Sequence, residues 1–240
     1  MNILLTNDDG YRAEGLAAAY RALSDLGKVH VVAPASEQSA CSHKITMDRP
    51  ITVRRIDHPG LGSIHTVEGT PADCVRLAII ELLDHRPDLV VAGINHGANA
   101  GVDTFYSGTV GGAREGTILG IPAIALSQAY RSGIEPNWIL ATEVVANIVP
   151  TLLDEALPGP GFWSVNLPAP IPDDFAGCIH RTVVALEPMP FTFDKTQEDG
   201  VARYKYPRDY WSRRTTTHSD YTVVRDGGIS IAAIPLIGKF

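Results

Sequence analysis

Two adjacent carboxylates, Asp8 and Asp9, follow a short apolar run and precede Gly10. Like charges side by side at a strand end raise the energy of a fold unless something positive sits against them. A divalent cation is the simplest counterpart. A solvated Asx turn, which needs no metal, accounts for the pair equally well on its own. Ser39 and Asn95 tip the balance, because each stands just beyond another strand-like apolar run. Asp8, Asp9, Ser39 and Asn95 form an all-oxygen set with no thiolate and no required imidazole. That chemistry suits Mg²⁺ or Mn²⁺ and disfavours zinc. Gly10 permits the sharp turn that would aim both carboxylates inward.

A second constellation is Tyr106-Ser107-Gly108-Thr109-Val110-Gly111-Gly112. Ser107 is a good N-cap, and the glycines leave the backbone N–H groups of Gly108, Thr109 and Val110 unobstructed. Such a helix start attracts anions, phosphate above all. Taken alone, the segment is better explained as an ordinary capped helix with glycines for close packing. Beside a cation site, phosphate binding becomes the better account. His96 and Gly97 extend the same rim and are candidates for phosphate contact, although a lone His in a tight loop is more often a hydrogen-bonded structural residue. His43 and Lys44 could close over a substrate, with a solvated Lys44 the plainer reading. Arg114 is expected to make a structural ion pair within the helix.

The elements that must position these residues read as an α/β pattern. Residues 3–6 form a buried strand, 14–26 an amphipathic helix ended by Gly27, and 29–33 a second strand stopped by Pro34. Such β-α-β units build parallel sheets. Residues 35–69 read as a long loop with a hairpin, a size that is often functional. Pro71 opens a helix through Leu83. Strands at 88–94, 121–126 and 162–166 alternate with helices at 108–119 and 137–153, and a last strand covers 229–234. Beyond Val184, prolines, aromatics and alternating Thr and Arg suggest extended hairpins. Ligand sites in open α/β sheets lie beyond the carboxyl ends of the strands. Asp8 and Asp9, Ser39, and Asn95 with His96 all fall at such ends.

Composition narrows the function classes. The 240 residues are 45% apolar and 20% charged, which suits one folded domain with an appendage. The formal charge of −7 argues against a sequence-independent grip on duplex DNA. It leaves a small phosphorylated substrate open, since a bound cation reverses the local field. The N-terminal apolar run is too short for a signal peptide, and no stretch is long enough to span a bilayer. Cys41, Cys74 and Cys178 are odd in number and far apart, so reduced structural thiols in a cytoplasmic protein are expected.

Asn7-Asp8-Asp9-Gly10, Glu37-Gln38-Ser39, Gly93-Ile94-Asn95-His96-Gly97-Ala98-Asn99 and Tyr106-Ser107-Gly108-Thr109-Val110-Gly111, in this order and spacing, resemble the SurE family of stationary-phase survival nucleotidases. Val67-Glu68-Gly69-Thr70-Pro71-Ala72-Asp73 and the closing strand extend the likeness over most of the chain. The resemblance implies a Rossmann-like three-layer catalytic domain over residues 1–183, with a mostly parallel sheet. It implies a β-rich oligomerisation arm over 184–225 and a closing strand over 226–240 that returns to the sheet. It implies a 5′-nucleotidase that releases phosphate from nucleoside monophosphates, with possible action on 3′-nucleotides and polyphosphate. One Mg²⁺ or Mn²⁺ per subunit would rest on Asp8, Asp9, Ser39 and Asn95. Asp8, Asp9 and Asn95 would be catalytic, and Asn95, His96, Gly97, Ser107, Gly108, Thr109 and Val110 would contact phosphate. A homodimer or tetramer exchanging the arm is also implied. Three places depart from the family pattern: Ala40 stands where Gly is usual, Arg114 where an apolar residue is expected, and Thr217-His218-Ser219-Asp220 where Thr-Asp is usual.

The expected reaction is direct hydrolysis of a phosphomonoester, with Asp9 the better candidate for orienting water. Rival classes lack their residues. An aspartyl-nucleophile phosphatase needs Asp-x-Asp-x-Thr, where this chain has Asp8-Asp9-Gly10-Tyr11-Arg12. There is no G-x-S-x-G elbow and no P-loop. A receiver-like signalling module needs a phosphoacceptor Asp at a later strand end, and Asn95 occupies that place.

Overall fold

The computed structural model describes residues 1–188, 192–206, 211, 213, 215 and 218–236. Eleven strands and five helices are named within them: β1 (Asn2–Thr6), α1 (Glu14–Ser24), β2 (Lys28–Pro34), β3 (Val53–His58), β4 (Gly62–Val67), α2 (Pro71–Leu77), β5 (Leu89–His96), α3 (Gly108–Ile118), β6 (Ala123–Gln128), α4 (Trp138–Asp154), β7 (Gly161–Leu167), β8 (Ile179–Thr182), β9 (Asp194–Glu198), β10 (Val201–Lys205), α5 (Asp220–Arg225) and β11 (Ile229–Pro235).

Nine strands form one sheet in the order β3-β4-β2-β1-β5-β6-β7-β11-β8. Neighbours from β4 to β7 run parallel, while β3 is antiparallel to β4 and β11 is antiparallel to β7. The alternation along β1 explains the layers. Ile3 and Leu5 point to one face, where they meet Leu16 and Leu23 of α1 and Val144 and Ile148 of α4. Leu4 points to the other, where it meets Val75 of α2 and Val110 and Ala113 of α3. A central strand apolar on both faces is thereby covered twice, which gives the three layers of an α/β fold.

Several element boundaries differ from the sequence expectation. The helix opened by Pro71 holds α-geometry only to Leu77 and continues as a π-turn over Ala78–Leu82. Its start is secured by a capping box between Thr70 and Asp73. Strand β5 runs past Ile94, with a register shift between Ala92 and Asn95, so Asn95 and His96 still pair with β6. The proposed site residues thus sit on the strand rather than on a loop beyond it. Residues 53–67 form the expected hairpin.

Beyond β7, β8 and α5 carry no clear apolar period and were not anticipated. Both lie beside β11. The excursion between them starts and ends at one place: Val183 and Ser219 form a parallel bridge, and the Asp220 N–H donates to the Val183 carbonyl at 2.9 Å. Within it, β9 and β10 form a separate two-stranded sheet. Trp211 is not exposed like Phe193, Tyr204 and Tyr206 but packs against Tyr221 and Ala100 of the main body. Pro190, Phe191, Pro207, Tyr210 and Thr217 lie outside the described residues.

Candidate active site

Asp8, Asp9, Glu37, Ser39, Asn95, His96, Asn99 and Ser107 line one cavity of about 420 Å³ at the carboxyl ends of β1, β2 and β5. Three strand ends that sequence reading placed on one rim do meet there. Gly10 turns with φ +93°, and the Gln38 N–H ties the following loop to the Asp8 carbonyl at 2.7 Å. Among the described residues, no Lys or Arg lines the cavity.

The two carboxylates are oriented from different sides. Asp8 is only 4% exposed. The Thr109 hydroxyl donates to its Oδ1, and the Thr109 backbone N–H also faces it. Asp9 is half-buried, and its Oδ2 accepts the His96 N–H at 3.0 Å. Burial pushes Asp8 up to about 6, and the charge of Asp9 adds to the effect against the hydrogen bonds from Thr109. Burial also raises Asp9, with Glu37 contributing repulsion and the His96 N–H opposing it. Both groups sit above the ordinary carboxylate range because burial outweighs their hydrogen bonds and, for Asp9, the charge of His96 as well.

The neutral donors are held less uniformly. The Asn95 Nδ2 donates to the Gly97 carbonyl at 2.7 Å, which fixes the amide and leaves its Oδ1 as the available ligand atom. The Ser39 hydroxyl is exposed and donates to Glu37 Oε1 at 2.5 Å. It keeps an oxygen lone pair for a cation. The next residue, Ala40, adopts φ +54°, a left-handed conformation that disfavours a Cβ. That is where the family resemblance leads one to expect Gly.

Helix α3 enters the site differently from the sequence expectation. The Ser107 Oγ accepts the Val110 N–H at 3.1 Å, and the Thr109 hydroxyl donates to Asp8. The Thr109 hydroxyl thus orients Asp8 and the Val110 N–H closes the helix cap, both directly beside the expected phosphate position. The Gly97 N–H is likewise taken, by the Gln128 carbonyl at 2.8 Å. The Ser107 hydroxyl proton, the Gly108 N–H and the ring of His96 are donors available to an anion at this rim. A Cβ at Gly108 would stand 3.0 Å from Asp8 Oδ2 and 2.7 Å from the Cys41 Sγ. Glycine there lets the helix start close on Asp8, and a larger residue would disturb Asp8 itself rather than phosphate alone.

Other expectations are corrected. His43 does not reach over the cavity. Its Nε2 pairs with Glu115 at 2.6 Å, and Arg76 pairs with the other oxygen of the same carboxylate. Glu115 is fully buried inside α3. Burial pushes its carboxyl up, but His43 and Arg76 outweigh that and hold it below its ordinary range. Arg114 makes no ion pair among the described residues. Its guanidinium donates to the Thr104 carbonyl at 3.1 Å and lies 5.8 Å above the Phe162 ring. Sequence reading also passed over Asn99, whose N–H and Nδ2 are fixed by Asn166 at 2.7 Å and Ser127 at 2.8 Å. Its position two residues past Gly97 in the same motif was the available signal.

The comparisons with known proteins converge on one family. Residues 3–185 match the family described as survival protein SurE. The chain is 39% identical over 245 residues to "5′-nucleotidase SurE" of Geotalea uraniireducens, covering 98% of this chain and 93% of that protein. The chain belongs to the SurE family. It is also 45% identical to "5′-nucleotidase SurE" of Laribacter hongkongensis over 168 residues, which span 70% of this chain and 66% of that SurE protein. A crystal structure of the SurE protein from Aquifex aeolicus matches with a TM-score of 0.84 at 35% identity, over 99% of this chain and 94% of that one. Every residue proposed above for the SurE site lies within residues 3–185.

The uncompensated burial of Asp8 makes stability depend on pH. Its folded pKa exceeds the unfolded value of 3.8, so the folded state holds the proton more tightly. The stability this contributes is present below about pH 4 and lost as pH rises through about 6. Asp8→Asn keeps an oxygen for Thr109 and removes the charge. In EDTA, this variant is expected to be more stable than the parent above about pH 6, by at most about 3 kcal/mol. The difference should fade toward about pH 4. Urea denaturation across that range checks it, and a pH-independent difference would contradict the assignment.

Proposed function

We propose that this chain is a divalent-metal-dependent phosphomonoester hydrolase, a 5′-nucleotidase that releases phosphate from nucleoside monophosphates. The observation that carries the reading is the Asp8–Asp9 pair, buried and half-buried, raised in pKa and with no Lys or Arg among the described residues that line its cavity. The names of the relatives support it. The residues fit a hard cation: two carboxylates, an amide oxygen and a hydroxyl converge on one cavity, all oxygen donors. Asp8, Asp9, Ser39 and Asn95 would hold one Mg²⁺ or Mn²⁺, which when bound supplies a Lewis acid that polarises a phosphoryl oxygen.

The chain's own groups divide the remaining work. Thr109 holds Asp8 in place, and the His96 N–H holds Asp9 by one oxygen. The other oxygen of Asp9 is placed to orient the attacking water. The Ser107 hydroxyl and the Gly108 N–H, at the positive end of α3, donate to phosphoryl oxygens as charge develops there. Water oxygen bonds to phosphorus, the ester P–O bond breaks, and the nucleoside oxygen leaves with a proton. Action on 3′-nucleotides and on polyphosphate belongs to the same proposal.

Hydrolysis of adenosine monophosphate should require added Mg²⁺ or Mn²⁺, stop in EDTA, and fall at least a hundredfold in Asp9→Asn, with the circular dichroism spectrum unchanged. Metal-independent turnover, or near-parental activity in that variant, would overturn the reading.

The same proposal places the protein in the cytoplasm as a homodimer or tetramer, with residues 184–225 as the assembling arm. No described helix is long and apolar enough to cross a membrane, and the three cysteines are unpaired. Phe193 contacts both Tyr204 and Tyr206 at the β9–β10 hairpin, and the three stay 48%, 61% and 64% exposed. A partner chain would cover such a patch. Light scattering at micromolar concentration should give at least twice the chain mass of 25.8 kDa, and a single-chain mass would rule out the exchanged arm.

A further inference from the structure

The cavity of about 420 Å³ is walled by Asn99, Asp103 and Tyr106 as well as by Asp8, Asp9, Ser39, Asn95 and Ser107. Tyr106 is 54% exposed although its backbone is fixed on both sides: its N–H donates to the Asp103 carbonyl at 2.9 Å, and its carbonyl accepts the Ser42 N–H at 2.8 Å. Asp103 is fixed in turn, by a two-pronged pair with Arg213 at 2.8 and 3.1 Å. A second exposed aromatic, Tyr130, is 53% exposed and stands edge-on to the cavity-lining His96 ring at 5.5 Å. Single exposed aromatics are unremarkable on a surface. Two of them beside one polar cavity, one on a rigid backbone and one braced by a wall residue, form a preorganised apolar rim next to a phosphate site.

We propose that Tyr106 and Tyr130 are the nucleobase-recognition residues of this site, with Tyr106 the principal stacking platform. The inference rests on the nucleotidase reading and adds the part of the substrate that reading leaves unplaced. A ring stacked on a tyrosine uses a face that every base possesses. The platform therefore selects nucleotides over phosphate esters without a ring and discriminates little among bases. The rigid backbone of residues 103–107 means little ordering is needed when the base arrives, which favours binding. Because Ser107 follows Tyr106 directly, the base platform and the phosphate donor are set by the same short segment.

The test separates this inference from the hydrolase reading by using adenosine, which has no phosphate, as the calorimetric probe. The intact protein should bind adenosine. Tyr106→Ala should weaken that binding about tenfold or more, Tyr106→Phe should retain it, and Tyr130→Ala should weaken it by a smaller factor. For hydrolysis, the ratio of kcat/KM for adenosine monophosphate to that for glycerol phosphate should fall about tenfold in Tyr106→Ala, through KM. Adenosine binding by Tyr106→Ala equal to that of the parent, or no adenosine binding by the parent, would overturn the proposal. Adenosine binding with the expected loss in Tyr106→Ala but no ester hydrolysis by the parent would remove the hydrolase reading and leave the platform standing.

Discussion

Two adjacent carboxylates at the end of β1, one buried and one half-buried, impose a constraint that the surrounding structure meets only in part. Thr109 and the His96 N–H supply hydrogen bonds to them. The N-terminus of α3 turns its positive end toward Asp8, and glycine at 108 lets it come close. None of these carries a full positive charge. The remaining imbalance is what the proposed cation would remove, and the convergence of β1, β2 and β5 on one cavity brings neutral oxygen donors to the same place.

Glu115 shows that burial alone does not create this imbalance. Its carboxylate is fully buried in the same three-layer fold, yet its pKa is lowered. The difference is His43 and Arg76, which bind one oxygen each. A buried acid with two basic partners is a structural joint, here between α2, α3 and the loop carrying Ser39. Asp8 has none among the described residues, is raised to about 6 and opens onto a cavity, as a functional group held at a cost in stability does. The contrast lies in partner chemistry, since burial is shared.

Much of the catalytic layer was legible in the sequence because it follows from local rules. Continuous apolar runs marked β1, β5, β6 and β7, and the polar residues just after them marked the site. Ser107 could be read as an N-cap from its place before the helix, and it is one. What escaped depends on pairing across long separations. Nothing near Thr109 in the chain says that its donors face Asp8, 101 positions away. The pairing of Asn95 with Ser127 keeps β5 a strand through His96, which no local pattern encodes. Strands β8 and helix α5 are short and held by β11, so tertiary contact rather than propensity decides them.

Anomalous diffraction from crystals grown with Mn²⁺ tests the central claim most directly. The account predicts one strong peak per chain in the cavity, within about 2.2 Å of oxygens from Asp8 and Asp9, and its loss in crystals of Asp8→Asn. A cavity empty of manganese at millimolar concentration, or a peak held by groups elsewhere in the chain, would contradict it.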